Sequence, residues 1–370
     1  MNQRRKLGLA MVGAGSVVEH RHVPAIATLD GIEVRTVYDP DRRAAERVAA
    51  AAGARVAASV EEAIHAEGVD AVTVASPNVH HRAGVEAAAA AGKHVFCEKP
   101  IATSLRDARA VVEAARRAGV VLQVGFHHRF MSEHRTARRL LEAGVIGEVR
   151  AFQATMSEPL DVIPGGAGNY RLKPEQSGGL TLIDFGSHRI DQLRALLGDA
   201  ARVEARFASV AGGHGLDDNI TLQVEMRSGA LGTLGFHRFS RGAVSTTMLV
   251  GTKGMLCFNS WVVNPFHAAP VAVFTEEPLP ADVLTYTRPV DWWRPPQPGW
   301  TALWPPAANP YAEEYGAFLA AVGGGAPPVT GEDGYRALEI VIAAYKSFHS
   351  GRAADLPLDA EEDVPVPRFR

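Results

Sequence analysis

Between Leu7 and Gly125, short apolar runs alternate with Ala- and Arg-rich stretches of helical period, and no other feature of the chain limits its fold so tightly. Short apolar runs separated by helices pair most readily as a parallel sheet whose crossover helices cover both faces. Strands are expected over 7–12, 33–38, 55–57, 71–74, 94–97 and 120–124. The helices between them carry local start signals: Asp41 ahead of Arg42 and Arg43, Ser59 followed by Glu62, and Ser104 followed by Asp107.

After Gly125 the rhythm changes. Residues 132–143 read as one helix, and longer alternating runs follow at 148–155, 202–210, 221–226, 231–236 and 245–251, as in an open antiparallel sheet. Residues 264–310 are dense in Pro and Trp, including Trp292, Trp293, Trp300 and Trp304, and are expected to form a long irregular insertion that serves a subunit interface or caps a pocket. Two late helices, 311–322 and 332–350, close the chain. The expected class is α/β: an N-terminal doubly wound Rossmann sheet over 1–125, then a C-terminal α+β domain over 126–370 built on an open, mainly antiparallel sheet.

Charge and cysteine content exclude several roles. The 38 Lys and Arg against 41 Asp and Glu leave a net charge of -3, so no basic excess exists to neutralise a nucleic-acid backbone. Cys97 and Cys257 are too few for a disulfide framework and lack CxxC spacing, which fits a reducing cytoplasm. The apolar run at 7–12 is too short to export or span, so no membrane partner is expected.

Gly13-Ala14-Gly15, with Ser16 beside it, follows an apolar strand and opens a helix. Such a turn lets the backbone approach a pyrophosphate resting on the helix N-terminus, although an ordinary tight turn would look the same. Asp39 ends the second strand, where a carboxylate accepts hydrogen bonds from both ribose hydroxyls and repels a 2'-phosphate. NAD(H) is therefore the expected preference, with NADP(H) open because Arg42 and Arg43 stand nearby. Ser76, Pro77 and Asn78 follow the fourth strand, and Glu98-Lys99-Pro100 the fifth, both at the carboxyl edge where open α/β sheets bind ligands. Beside a nicotinamide, Lys99 could stabilise a developing alkoxide. Asp184 and His188 stand i and i+4, with Asp191 further along the same face, so a helix would present them as an acid/base pair, a salt bridge or a metal pair. No third ligand lies nearby in a recognised spacing, and no metal is expected.

Taken together, these residues resemble the glucose-fructose oxidoreductase, inositol dehydrogenase and rhizopine catabolism (Gfo/Idh/MocA) family over nearly the whole chain. The marks are Gly13-Ala14-Gly15 with His22-Val23-Pro24, Ser76-Pro77-Asn78-Val79-His80-His81, Glu98-Lys99-Pro100, Gly125-Phe126 with Arg129-Phe130, and Gly178-Gly179 leading to Asp184, Gly186 and His188. The resemblance implies catalytic Lys99, Asp184 and His188. It places Gly13, Gly15, Ser16, Asp39, Ser76, Pro77, Asn78, His81, Glu98 and Lys99 at the cofactor. Arg129, Asn169, Tyr170 and Arg171 are candidate substrate contacts alongside the catalytic three. The implied reaction interconverts a secondary alcohol and a ketone on a sugar, aminosugar or cyclitol, in a homodimer or homotetramer. A redox-assisted glycosidase or lyase with retained NAD, and a non-catalytic nucleotide sensor, are the alternatives. Four features depart from the family: Val18 and Leu180 replace frequent glycines, His127-His128 stands where Asn or Gln is common, and the Trp- and Pro-rich insertion is not general.

Overall fold

Every residue of β1 (Leu7–Val12) and β4 (Ala71–Val74) is buried, as strands covered by helices on both faces require. They sit at the centre of a parallel sheet completed by β2 (Ile32–Tyr38), β3 (Arg55–Val56), β5 (His94–Glu98) and β6 (Leu122–Gly125). The computed structural model describes residues 5–160, 169–211, 215–259, 269–287 and 299–369. The strand order is β3-β2-β1-β4-β5-β6, which reverses direction between β1 and β4 and opens a crevice at their carboxyl ends. The helix start signals act as the sequence suggests. The Asp41 carboxylate accepts from the Arg43 and Ala44 amides, Ser59 Oγ from Glu62 at 3.1 Å, and Ser104 Oγ from Asp107 at 3.1 Å.

The second sheet contains β7 (Val149–Ser157), β8 (Ala200–Ala208), β9 (Asn219–Met226), β10 (Leu231–His237), β11 (Val244–Gly251), β12 (Gly254–Asn259), β13 (Val271–Thr275), β14 (Trp300–Leu303) and β15 (Ala354–Asp355). Their order is β14-β13-β12-β11-β7-β10-β9-β8-β15, and only β10 and β7 run parallel. Along β9, Ile220, Leu222, Val224 and Met226 are buried whereas Thr221, Gln223 and Glu225 are exposed, so one face is covered and the other open. Helices Ser187–Leu197 and Gly331–Ser350 pack on the covered face.

Two expectations need correction. The segment 264–310 is not wholly irregular, because it supplies β13, a short helix at Ala281–Leu284 and the edge strand β14. Val271 and Val273 alternate into the core, and pairing with β12 outweighs the surrounding prolines. Trp300 packs on Phe274 with ring centroids 5.6 Å apart, while Trp292 and Trp293 lie outside the described residues. The sequence division at residue 125 is also crossed in space. Helix Pro310–Val322 returns to the first sheet, where Tyr315 and Phe318 are fully buried among Leu9, Met11 and Phe96. Among the described residues, no helix is long and apolar enough to cross a membrane.

Candidate active site

The crevice of the first sheet begins at Gly13, whose φ of 106° lies in the region that favours glycine. A Cβ there would stand 2.5 Å from the Ala75 carbonyl oxygen, so the turn depends on a close approach to the backbone after β4. Gly15 and Ser16 are exposed, and a Cβ on Gly15 would meet nothing within 4 Å. Asp39 secures this turn by accepting from the Ala14 amide at 2.7 Å and the Asp41 amide at 2.8 Å, one on each oxygen. Each oxygen retains a second lone pair for a ribose hydroxyl. Ser76 Oγ is buried at the same edge without a partner. An open glycine turn, an acceptor at the end of β2 and an unpaired hydroxyl fit a dinucleotide.

Two expected cofactor contacts have another task. His81 is buried, with Nε2 2.8 Å from the Ser76 carbonyl and Nδ1 2.8 Å from the Pro100 carbonyl, so it clamps the loops after β4 and β5 together. Asn78 is buried too, and its side-chain amide donates to the Ser177 carbonyl at 2.8 Å. Both hold the crevice in shape from behind. Pro77 forms the intervening turn.

At the end of β5 the Glu98 carboxylate faces His22 Nε2 at 3.0 Å, and His22 Nδ1 lies 2.9 Å from the Tyr315 hydroxyl. Burial pushes the Glu98 carboxyl up, but His22 and Lys99 outweigh it and hold it below the ordinary range. Lys99 then reaches across the crevice. Its Nζ donates to Asp184 Oδ1 at 2.9 Å and to the Asp184 carbonyl at 2.8 Å.

Asp184 lies in the wide helical turn Thr181–Gly186, which runs directly into the α-helix Ser187–Leu197 carrying His188. Gly178 and Gly179 have φ of 78° and 137°, and a Cβ on Gly179 would fall 2.2 Å from the Tyr345 hydroxyl, so the entry to this turn requires glycine. The buried Asp217 carboxylate caps the turn by accepting from the Leu180 amide at 3.1 Å and the Leu182 amide at 2.8 Å. Asp184 and His188 share one helix but no hydrogen bond joins them, which corrects the expected pair. Asp184 instead meets Lys99, Arg171 at 3.2 Å and Arg238 at 3.4 Å. Burial pushes its carboxyl up, yet the three cations prevail and hold it well below the usual carboxylate range. It is ionised at neutral pH.

His188 is held by packing. Its ring stacks on His128 at 4.2 Å and meets His127 edge-on at 4.8 Å, and its Nδ1 is buried with no hydrogen-bond partner. Burial, reinforced by the neighbouring positive charge, lowers its pKa well below the ordinary value, so the imidazole is neutral at pH 7.

The remaining candidates separate. Arg171 joins the site through Asp184, and its guanidinium lies 4.9 Å from the Tyr170 ring centre. Asn169 accepts from the Arg171 amide at 2.9 Å and sets this turn. Arg129 does not join them, since Asp191 at 2.7 Å, Asp333 at 3.1 Å and the Pro328 carbonyl engage its guanidinium. It is a framework ion pair in place of the expected substrate contact. Sequence reasoning missed Arg238, Glu158 and Asp217. Arg238 and Glu158 form a buried ion pair beside Asp184, and neither residue belongs to a recognisable spacing.

Comparison with known proteins gives the family of the chain. Residues 7–126 match the GFO_IDH_MocA family, an oxidoreductase family with an NAD-binding Rossmann fold, and residues 134–257 match the GFO/IDH/MocA C-terminal domain. A 1,5-anhydro-D-fructose reductase of Ensifer adhaerens is 31% identical over 354 residues, covering 94% of this chain and 97% of that protein. A D-apiose dehydrogenase of Paraburkholderia graminis is 29% identical, with 95% and 90% covered. The WlbA dehydrogenase of Bordetella pertussis, solved with NADH and UDP-GlcNAcA, shares the fold with a TM-score of 0.82 at 24% identity, over 97% of this chain and 100% of that one. The chain belongs to the Gfo/Idh/MocA family and is an NAD(P)-dependent dehydrogenase acting on CH–OH groups.

Proposed function

We propose that the protein oxidises a secondary alcohol of a sugar, aminosugar or cyclitol to the ketone, reversibly, with His188 as general base and Lys99 as the group that stabilises the oxyanion. The observation that carries this reading is the Lys99–Asp184 ion pair at the carboxyl end of β5, with neutral His188 four residues beyond Asp184 on the continuing helix. When bound, the nicotinamide supplies the hydride acceptor. His188 takes the hydroxyl proton on its free lone pair, and the Lys99 ammonium lowers the energy of the alkoxide that results. Asp184 orients that ammonium and, with Arg171, offers polar contacts to neighbouring hydroxyls. A panel of inositols, hexoses and aminosugars, followed by NADH absorbance, tests the reading. Absence of turnover across the panel in protein that binds NAD would sink it.

Cofactor choice rests on Asp39. Its carboxylate is held at the end of β2 by two backbone amides, so a 2'-phosphate would meet fixed negative charge. Arg42 lies 2.9 Å from Glu46 in an exposed pair. NAD is accordingly the preferred form. Asp39→Asn should narrow the NAD over NADP ratio of kcat/KM by about tenfold, the equivalent of ~1.4 kcal/mol. A ratio unchanged by the substitution would remove Asp39 as the determinant.

Assembly follows from the open sheet face. Leu231 and Phe239 are exposed at and just beyond β10, and a second copy of this chain would cover them in a symmetric dimer or tetramer. Light scattering at micromolar concentration should give a multiple of the chain mass. A strictly monomeric mass would contradict it.

A further inference from the structure

His127 and His128 have no task in the reaction just described. They occupy the short turn His127–Phe130 after β6, and the fold sets them beside His188 from a distant part of the chain. One ring nitrogen from each of the three lies within 4.8 Å of those of the other two. Ring centroids are 4.2 Å apart for His128 and His188, 4.8 Å for His127 and His188, and 4.7 Å for His127 and His128. His128 and His188 are buried, whereas His127 is half-buried and stacks on Tyr311 with ring centroids 4.4 Å apart. The backbone beneath them is fixed by the Gln192 side chain, which donates to the His128 carbonyl at 3.0 Å.

Three imidazoles without thiolate suit zinc, nickel(II) or copper(II). With zinc–nitrogen bonds of about 2.0–2.1 Å in a tetrahedral site, ligand nitrogens stand about 3.4 Å apart. The three nitrogens must therefore close by roughly 1.4 Å at most, and because the His128 and His188 rings stack at 18° one of the two must also rotate to aim its in-plane lone pair at a shared ion. A fourth position is left for water or a substrate oxygen. Two cations act on the His128 and His188 rings: Lys99 is matched by Asp184 at 2.9 Å, and Arg189 is buried against the Thr247 and Ser245 hydroxyls.

We infer that His127, His128 and His188 form a binding site for zinc or a similar dication, and that its occupancy stops turnover by taking the lone pair of His188. The inference rests on the reading of His188 as general base. It is tested on tag-free, chelator-stripped full-length protein titrated with cobalt(II), which reports tetrahedral nitrogen coordination through its visible spectrum, and with zinc during turnover. Expected are about one equivalent of cobalt with intense visible bands, inhibition by zinc over the same occupancy range, and recovery with EDTA. His127→Gln and His128→Asn should each raise the metal concentration for half-saturation by at least about tenfold. Absence of the tetrahedral spectrum, binding unaffected by both substitutions, or full activity at zinc saturation would each overturn it. If no sugar or cyclitol is turned over, the dehydrogenase reading fails, whereas the cobalt spectrum and its loss in His127→Gln still decide the metal site.

Discussion

Lys99→Ala and His188→Ala should each lower kcat by about 10²- to 10⁴-fold, the usual range for loss of a positioned acid/base group. The dissociation constant for NAD should change little, because the glycine turn and Asp39 are untouched by either substitution. Asp184→Ala should differ in kind. It leaves Lys99 only the backbone carbonyl of residue 184 and takes the carboxylate away from Arg171 and Arg238, so KM should rise along with the fall in kcat. Steady-state kinetics with separate calorimetry for NAD resolves these cases. A folded His188→Ala variant with near-normal turnover on its best substrate would eliminate the proposed base and revive the sensor alternative.

Gly13→Ala should be the most damaging single change in the cofactor half. An L-residue at φ of 106° carries strain of about 1–3 kcal/mol. The new Cβ would also stand 2.5 Å from the Ala75 carbonyl oxygen and 2.8 Å from the Ser76 nitrogen, and those are backbone atoms that cannot rotate away. A total cost above about 3 kcal/mol is expected, seen as a lower thermal midpoint together with at least tenfold weaker NAD binding. Gly15→Ala provides the contrast. Its Cβ meets no protein atom within 4 Å, so stability should hold while NAD affinity falls, because the methyl group enters the space left for the dinucleotide. Wild-type NAD affinity in both variants would remove this turn from the cofactor site.

Local signals and long-range placement were not equally legible in the sequence. The glycine turn, the helix caps at Asp41, Ser59 and Ser104, and the buried strands of the first sheet are written within a few residues each, and the structure has them where expected. Strands β13 and β14 were hidden because their pairing partners, not their own Pro- and Trp-rich surroundings, determine them. The helix that carries Asp184 and His188 was visible as a spacing, but the partners of each side chain were not. Arg171 and Arg238 reach Asp184 from separate elements, and Arg238 stands just past β10 with nothing in its neighbourhood to distinguish it from a surface arginine. Asp191 shows the same limit. It follows His188 on one helix, yet tertiary packing assigns it to Arg129. The cluster of His127 and His128 with His188 escaped a search by ligand spacing because it exists only once β6 and that helix are brought together.

The return of helix Pro310–Val322 to the first sheet also governs the order in which this protein can be assembled. Tyr315 bonds to Thr73 at 3.1 Å and to His22, and Phe318 packs on Phe96, so the core of the nucleotide-binding half includes side chains synthesised some two hundred residues after β6. A nascent chain released only through Gly125 has all six strands but lacks these aromatic rings. Its apolar surface around Phe96 remains open, and His22 and Thr73 lose the hydroxyl that bonds to both. The module that begins the sequence is thus completed by the part that nearly ends it, and cutting the gene between the two halves should yield an amino-terminal fragment that aggregates unless the missing helix is supplied.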